Sequence, residues 1–451
     1  MKKIIALTLT MLLLAGMLVG CGSTQSETAP KADTAAPAEA ADTAEEYPAV
    51  TIQYVNINSE SMGGPQVQAM IDEFNKTNGK NITVEFNFVS ANYPEIASEV
   101  LSYLAAGQSV GVVQVGYAYI NYFADNFPMM QDINNVIDTY FPEDKDFLTQ
   151  TYNDAVLDLG YALNGSLVGV PYGMSTPVLF YNADLCAEAG LDVDNPPKTW
   201  NEVGEWADAV IAKTGKSGFA IQNPSDTYSI IPMFLSAGID SVVEENNGTY
   251  SANLLTDDSV AAWTLLQEMT QKGEHVQLTL DEAVGAFAGG ELGMMLTTSG
   301  RSTYFANNCQ FDVRSTMQPA FEGHDLKVCI GGNVMSIISD NEAEIKASWE
   351  LMKFLLKPEN IGTWCTATGY LPPTSNVDDD PTVQAFVGSN ALMKAAVEEK
   401  DYAAQWTSWP GKNGLQVDQY LINMRDAIMS NNEDVTTAIT NAQNAINDLL
   451  K

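Results

Sequence analysis

The chain has 451 residues, of which 57 are Asp or Glu and only 21 are Lys or Arg, giving a formal net charge of −36. Nucleic acid and anionic lipid surfaces are bound by clustered Lys and Arg, so this charge balance excludes both as electrostatic partners. About 400 residues remain after the first 46, more than one compact core usually holds, and this length predicts two lobes.

The first 21 residues have the pattern of an export signal. Two lysines precede an apolar stretch from Ile4 to Val19, which at roughly 16 residues is shorter than the ~20 that span a bilayer. The stretch ends in Leu18-Val19-Gly20-Cys21, and small residues directly before a lone Cys resemble a bacterial lipobox. We therefore expect residues 1–21 to be a lipoprotein signal peptide with lipidation at Cys21; an ordinary signal with a chance Cys is the alternative.

Residues 22–46 are dominated by Ala, Thr, Ser, Pro and acidic residues, with no aromatic side chain. Such a segment cannot bury enough apolar surface to offset the entropy of ordering, so it is predicted to be a flexible acidic tether. Two acyl chains on Cys21 would supply a stable membrane anchor. The predicted location is extracytoplasmic, at the bacterial cell membrane.

From Val50 onward, short β-rich runs alternate with helical stretches, which is typical of an α/β fold. In the first part of the chain, strands are predicted at 50–57, 82–89 and 110–115, with helices at 65–75 and 95–106 between them. This βαβαβ opening predicts half of a parallel sheet.

Later elements are marked by turn and capping residues. A strand is predicted at 177–181, followed by a helix from Asn182 that stops at Gly190. Thr199 and Glu202 have the spacing of a capping box, which predicts a sharp start for a helix over 200–214. Further helices are expected at 258–272, 342–356, 417–429 and 435–450.

Motifs for catalysis or metal binding are missing from the sequence. The chain has only two His, His275 and His324, each in a polar stretch, and both are predicted to lie at the surface. No zinc helix, nucleophile elbow or dinucleotide-binding turn occurs, so we expect no metal, no cofactor and no enzymatic activity. An exported glycosidase using a carboxylate pair is the alternative, because acidic residues are abundant.

Four Cys follow Cys21, at positions 186, 309, 329 and 365, and none forms a CxxC pair. Scattered Cys are most often buried small apolar residues, which is the interpretation we favour here. A disulfide between Cys309 and Cys329 is the alternative in an exported protein.

Aromatic residues in predicted loops are candidates to cover the C–H faces of a sugar or polyol, with small polar residues bonding its hydroxyls. The candidates are Tyr93, Tyr117, Tyr119, Tyr122, Tyr172, Tyr304, Trp364, Tyr370, Trp406 and Trp409.

Several segments together resemble the extracellular solute-binding family 1 of ABC importers. They are Gly165-Ser-Leu-Val-Gly-Val-Pro-Tyr172, Ser175-Thr-Pro-Val-Leu-Phe-Tyr-Asn182, Ala189-Gly-Leu-Asp192, Pro196-Pro-Lys-Thr-Trp200, Gly331-Gly332, Phe354-Leu-Leu-Lys-Pro-Glu359 and Thr368-Gly-Tyr-Leu-Pro372. The segments around 175–182 and 368–372 are most similar to the glycerol-3-phosphate-binding branch of that family.

The resemblance implies a two-lobe periplasmic-binding-protein-like α/β fold with a ligand cleft and a hinge between the lobes. We expect residues 47–173 and 317–366 to form the N-terminal lobe. Residues 174–316 and 367–451 are expected to form the C-terminal lobe.

The ligand contacts of the branch can be placed on matching positions, and the expected ligand-binding residues are Tyr93, Tyr117, Ser175, Thr298, Ser299, Gly332, Tyr370, Trp409 and Gln416. Two positions depart from the branch. Where the branch has a Glu, this chain has Gly116 or Tyr117, and where the branch has an Arg, this chain has Gln416. Arg is the natural bidentate partner of a phosphate, so its absence favours an uncharged sugar or polyol.

The resemblance implies a monomeric receptor that closes on its ligand and delivers it to ABC permease subunits. A receptor that presents its ligand to a membrane sensor would use the same closed form, and the sequence leaves this alternative open.

Overall fold

A computed structural model describes residues 48–90, 92–222, 227–374 and 381–451. The predicted signal peptide, Cys21 and the tether at 22–46 lie outside the described residues. Within those ranges, no helix is long and apolar enough to cross a membrane.

Strands and helices alternate along the described chain, as the sequence predicts. The strands are β1 (Val50–Asn56), β2 (Ile82–Phe88), β3 (Gly111–Gly116), β4 (Val170–Ser175), β5 (Pro177–Asn182), β6 (Ser217–Ile221), β7 (Val243–Asn246), β8 (Thr249–Ala252), β9 (Leu292–Thr298), β10 (Val313–Met317), β11 (Val328–Ile338) and β12 (Ala403–Gln405). The helices are α1 (Gly64–Thr77), α2 (Tyr93–Ala105), α3 (Ile120–Asn126), α4 (Ile133–Tyr140), α5 (Phe147–Thr151), α6 (Asp154–Leu157), α7 (Ala183–Glu188), α8 (Trp200–Thr214), α9 (Ile231–Leu235), α10 (Asp257–Lys272), α11 (Leu280–Ala288), α12 (Ser302–Asn308), α13 (Glu342–Leu355), α14 (Pro358–Thr368), α15 (Pro381–Ser389), α16 (Lys394–Glu398), α17 (Gly414–Met429) and α18 (Val435–Leu449).

The first sheet has the strand order β12-β11-β3-β1-β2, and β4 also pairs with β11. Strand β1 runs parallel to both β2 and β3, which confirms the predicted βαβαβ opening. Strand β11 returns antiparallel to β3 and β4. Buried side chains such as Tyr54, Ile71 and Trp349 form one core cluster on this sheet with helices α1 and α13.

The second sheet has the order β10-β5-β9-β6, with β5 antiparallel to β9 and β6 parallel to β9. Phe180 of β5 packs against Phe305 with ring centroids 5.0 Å apart, and Phe305 lies 4.8 Å from Phe287. These edge-to-face contacts hold helices α11 and α12 on one face of the sheet.

The predicted capping box at the start of α8 is present. The Thr199 hydroxyl accepts a hydrogen bond from the Glu202 amide at 3.3 Å, and the Glu202 carboxylate accepts one from the Thr199 amide at 3.2 Å. The helix ends at Thr214 and is capped by Gly215, whose φ of 73° is the left-handed conformation that glycine adopts without strain. Local sequence therefore sets both ends of this helix.

The four described Cys and His275 test two predictions about single side chains. All four described Cys are free, so Cys309 and Cys329 form no disulfide. His275, predicted at the surface, is 6% exposed and packs on the Phe219 ring at 5.1 Å, so that prediction is wrong. Burial lowers the pKa of His275 to about 4 and keeps it neutral, and its Nδ1 hydrogen-bonds the Thr270 hydroxyl at 3.0 Å.

Two of the connections between the sheets lie next to the buried carboxylate of Glu399. Thr176 alone separates β4 from β5, and Gln318 begins the segment that leads from β10 to β11. The Gln318 amide donates a 2.6 Å hydrogen bond to Glu399, which is fully buried on the way to β12. The predicted lobe boundaries stay a prediction. Strand β12 falls in the segment 367–451 of the predicted C-terminal lobe, and it pairs with β11 of the first sheet.

Glu399→Gln is expected to flatten the pH dependence of stability. Burial raises the pKa of Glu399 from its ordinary 4.5 to about 8, although the Thr176 hydroxyl and the Gln318 amide favour the ionised form. The folded state therefore keeps Glu399 protonated up to a higher pH than the unfolded state does. Stability from this group is complete below pH 4.5 and is lost as the pH rises to 8.

Urea denaturation of the wild type and the variant between pH 4.5 and 8 checks this expectation. Glu399 can change the free energy of unfolding by at most about 1.4 kcal/mol per pH unit. Glutamine does not titrate, so the variant lacks this contribution to the slope. Glu398→Gln, a change at the exposed neighbouring residue, is the matched control and should keep the wild-type slope. An unchanged slope in Glu399→Gln would contradict the assignment.

Candidate ligand-binding site

A central cavity of about 40 Å³ lies where strands of both sheets end. Residues at or just beyond the carboxyl ends of β1, β4, β6 and β9 contribute to it, which is the usual place for ligands in open α/β sheets. Its volume exceeds the roughly 10–15 Å³ that one water needs. The lining residues are Ile57, Met62, Asn92, Tyr93, Ser175, Gln222, Tyr228, Leu280, Thr298, Arg301, Gly332, Tyr370 and Trp406.

Five of the nine sequence-predicted ligand-binding residues line this central cavity. They come from α2, β4, β9, β11 and the turn after α14, which are far apart in the chain. These residues are Tyr93, Ser175, Thr298, Gly332 and Tyr370.

The other four predicted residues do not line the central cavity. Tyr117 and Trp409 are buried in the core. The Ser299 hydroxyl accepts a 3.2 Å hydrogen bond from the Thr176 amide, so it ties β9 to the connection between the sheets. Gln416 is exposed on α17.

Tyr93 lines the central cavity, and Gly116 leaves room for its ring. A Cβ added at Gly116 would lie 2.6 Å from Cγ of Tyr93. The Tyr93 hydroxyl accepts a 3.1 Å hydrogen bond from the Asn333 amide. Burial and the nearby Tyr370 hydroxyl hold the pKa of Tyr93 well above its ordinary value, so the phenol stays neutral.

Trp406 and Tyr228 form an aromatic wall of the cavity, although neither is among the nine predicted ligand-binding residues. Trp406 belonged to the wider aromatic set, whereas Tyr228 carried no signal in the sequence. Their ring centroids are 5.2 Å apart, and Trp406 also contacts the Tyr93 ring edge-on at 6.2 Å. The Trp406 indole donates to the Thr227 hydroxyl at 3.2 Å, which fixes the ring.

Tyr370 forms another wall and is held by local structure. Its ring stacks on Trp364 with centroids 5.3 Å apart and an interplanar angle of 6°. Its amide donates to the Thr368 hydroxyl at 3.0 Å, and the next residue, Leu371, donates to the Met174 carbonyl at 2.8 Å. The turn after α14 is thereby fixed against β4.

Two fully buried side-chain atoms of residues lining the central cavity have no hydrogen-bond partner among the described residues. They are the side-chain oxygen of Asn92, an acceptor, and the Nε of Arg301, a donor. Buried polar groups in folded proteins are nearly always paired. Both atoms are therefore suited to contact a bound molecule.

An outer cleft of about 740 Å³ adjoins the central cavity. Asn92, Leu280 and Arg301 line both spaces, and Ser59, Phe88 and Tyr304 are among the other residues that line the cleft. A ligand too long for the cavity can extend into this cleft.

No group of three or more His, Cys, Asp or Glu within the described part of the chain could hold a metal ion. The side chains around the central cavity are aromatic and aliphatic groups, hydroxyls, amides and one guanidinium. This arrangement defines a class of protein: a two-lobe α/β binding protein with its ligand site between two sheets.

Comparison with known proteins supports this class. The model of a family described as bacterial extracellular solute-binding protein matches residues 69–430. The chain is 28% identical over 351 residues to the sn-glycerol-3-phosphate-binding periplasmic protein UgpB of Pectobacterium atrosepticum, covering 72% of this chain and 74% of the relative.

Two solved structures show the same fold. UgpB from Mycobacterium tuberculosis in complex with glycerophosphocholine has a TM-score of 0.73 at 19% identity, covering 89% of this chain and 98% of the other. A solute-binding protein from Agrobacterium radiobacter in complex with ribitol has a TM-score of 0.71 at 17% identity, covering 90% and 100%. The chain belongs to the bacterial extracellular solute-binding protein family, whose members are substrate-binding proteins of ABC transporters.

Proposed function

We propose that this protein captures a carbohydrate or polyol in the central cavity and delivers it to an ABC permease without catalysing a reaction. The main support is that elements of both sheets line the cavity and that the rings of Tyr93, Tyr370 and Trp406 lie beside unpaired polar atoms there. A ligand that contacts both lobes at once stabilises the closed form. The ribitol and glycerophosphocholine complexes of its structural relatives support a polyhydroxyl ligand.

Calorimetric titration of the exported chain with monosaccharides, oligosaccharides, polyols and glycerophosphodiesters tests the proposal. We expect at least one compound to bind and to raise the thermal midpoint, since a ligand at 100 times its Kd adds about 2.7 kcal/mol of stability. Chromatography of the recovered ligand should show it unchanged, whereas cleaved products would favour the glycosidase alternative. The absence of a heat of binding and of a shift in the thermal midpoint with every compound would contradict the proposal.

The proposed location is the outer face of the cell membrane, with lipid on Cys21 and residues 22–46 as the tether. Its support is the lipobox-like sequence together with a family of extracellular proteins. Cells fed labelled palmitate should label the wild-type chain but not Cys21→Ser. An unlabelled wild-type chain would contradict the anchor while leaving the ligand proposal intact.

A further inference from the structure

Arg301 lines the central cavity but is not among the nine predicted ligand-binding residues. It ends the short turn 299–301 that follows β9, and only 4% of its surface is exposed. It lines both the central cavity and the outer cleft. A guanidinium therefore lies at the boundary between the two spaces.

The described residues give this guanidinium little compensation. Its Nη1 donates to the Ser61 hydroxyl at 3.1 Å, and its Nε has no partner. Tyr370 and, more weakly, Asp281 raise the pKa of Arg301, but neither forms an ion pair with it. Burial, the largest influence, lowers that pKa, yet arginine keeps its proton in proteins.

A buried charge without an ionic partner is costly unless something else neutralises it. Carboxylate and phosphate oxygens match the planar fork of a guanidinium and bind it with strong charge-assisted hydrogen bonds. The Nε atom and one Nη atom of arginine together form one edge of that fork. The Nε of Arg301 is buried and unpaired, so part of this edge lacks the partner that an acidic group would supply.

We infer that the ligand is a polyhydroxyl compound carrying one acidic group, a carboxylate or a phosphate, that pairs with Arg301. This inference rests on the proposed function. The hydroxyls of the ligand then face Tyr93, Ser175 and Tyr370, and the acidic group lies toward the outer cleft. It replaces the expectation, drawn from Gln416, that the ligand is uncharged, because Gln416 lies outside the cavity.

Matched titrations test the inference with two series: ribitol, ribonate and ribitol 5-phosphate, and glycerol, glycerate and glycerol 3-phosphate. We expect an acidic member to bind the wild-type protein at least tenfold more tightly than its neutral parent. The carboxylate and phosphate members show which acidic group fits. A neutral parent that binds as tightly as both acids overturns the inference alone, and so does the absence of binding in both series when a neutral sugar or polyol binds in the wider screen. No binding of any compound, in the two series or in the wider screen, overturns the proposed function as well.

Three variants separate charge recognition from a merely structural role of Arg301. Arg301→Gln should remove the preference for the acid, and Arg301→Lys should keep part of it. Ser61→Ala removes the Ser61–Arg301 hydrogen bond but not the charge, so it should retain the preference within threefold. Persistence of the full preference in Arg301→Gln would overturn the inference.

The ligand-free variants provide a second readout. Without a bound anion, Arg301→Gln removes a buried, poorly compensated charge, so its thermal midpoint should equal or exceed that of the wild type. A lower midpoint together with an unchanged acid preference would show that Arg301 serves only to hold Ser61 and the opposite lobe.

Discussion

Gly332→Ala is expected to lower the free energy of unfolding by more than about 3 kcal/mol, because two steric effects add. The φ of Gly332 is 118°, a conformation that residues with a side chain rarely adopt. A Cβ at this position would also lie 1.9 Å from the carbonyl oxygen of Gly173, a backbone atom of the neighbouring strand β4. Neither strain can be relieved by moving a flexible side chain.

Chemical denaturation monitored by tryptophan fluorescence measures this effect. Gly285→Ala is the matched control, because Gly285 is exposed within α11 and an added Cβ would meet nothing within 4 Å. Alanine there should stabilise the helix by about 0.5–1 kcal/mol. Equal denaturation midpoints for Gly332→Ala and the wild type would contradict the steric explanation.

The fold was predictable because its signals are local. The predicted strand at 82–89 matches β2 to one residue, and α8 begins at Trp200, the start that its capping box predicts. Hydrophobic alternation and caps act over a few residues, so a single sequence displays them. His275 shows the opposite case. Its neighbours in the sequence are polar and predicted an exposed side chain, but packing against Phe219 and α10 buries it.

The site was only partly predictable, because its residues meet through tertiary contacts. Gly332 and Tyr370 were found because family segments surround them, and both line the central cavity. Tyr228 and Arg301 lie in no such segment. Arg301 lies two residues after Ser299, a predicted ligand-binding residue, and a basic residue there in so acidic a chain was the available signal. Its burial, however, could be seen only in three dimensions.

Tyr370→Ala is expected to weaken binding of the tightest ligand from the titration screen at least tenfold. Tyr370 is 3% exposed and forms one wall of the central cavity, so its removal takes away both a stacking surface and a hydroxyl. Truncating a buried aromatic residue also costs stability, about 3–5 kcal/mol for comparable cases. A loss of affinity therefore has to be separated from a loss of folding.

Tyr172→Ala provides that separation. Tyr172 stacks on Trp364 with centroids 4.5 Å apart, as Tyr370 does at 5.3 Å, and it is buried but does not line the cavity. Both truncations should lower the thermal midpoint, whereas only Tyr370→Ala should raise Kd tenfold, with Tyr172→Ala staying within about threefold of the wild type. Tyr370→Leu, which keeps most of the apolar volume, serves if the alanine variant does not fold, and it too should bind at least tenfold more weakly. Equal affinities for Tyr370→Leu and Tyr172→Ala would mean that the ligand does not contact this wall, and that it binds elsewhere than in the central cavity.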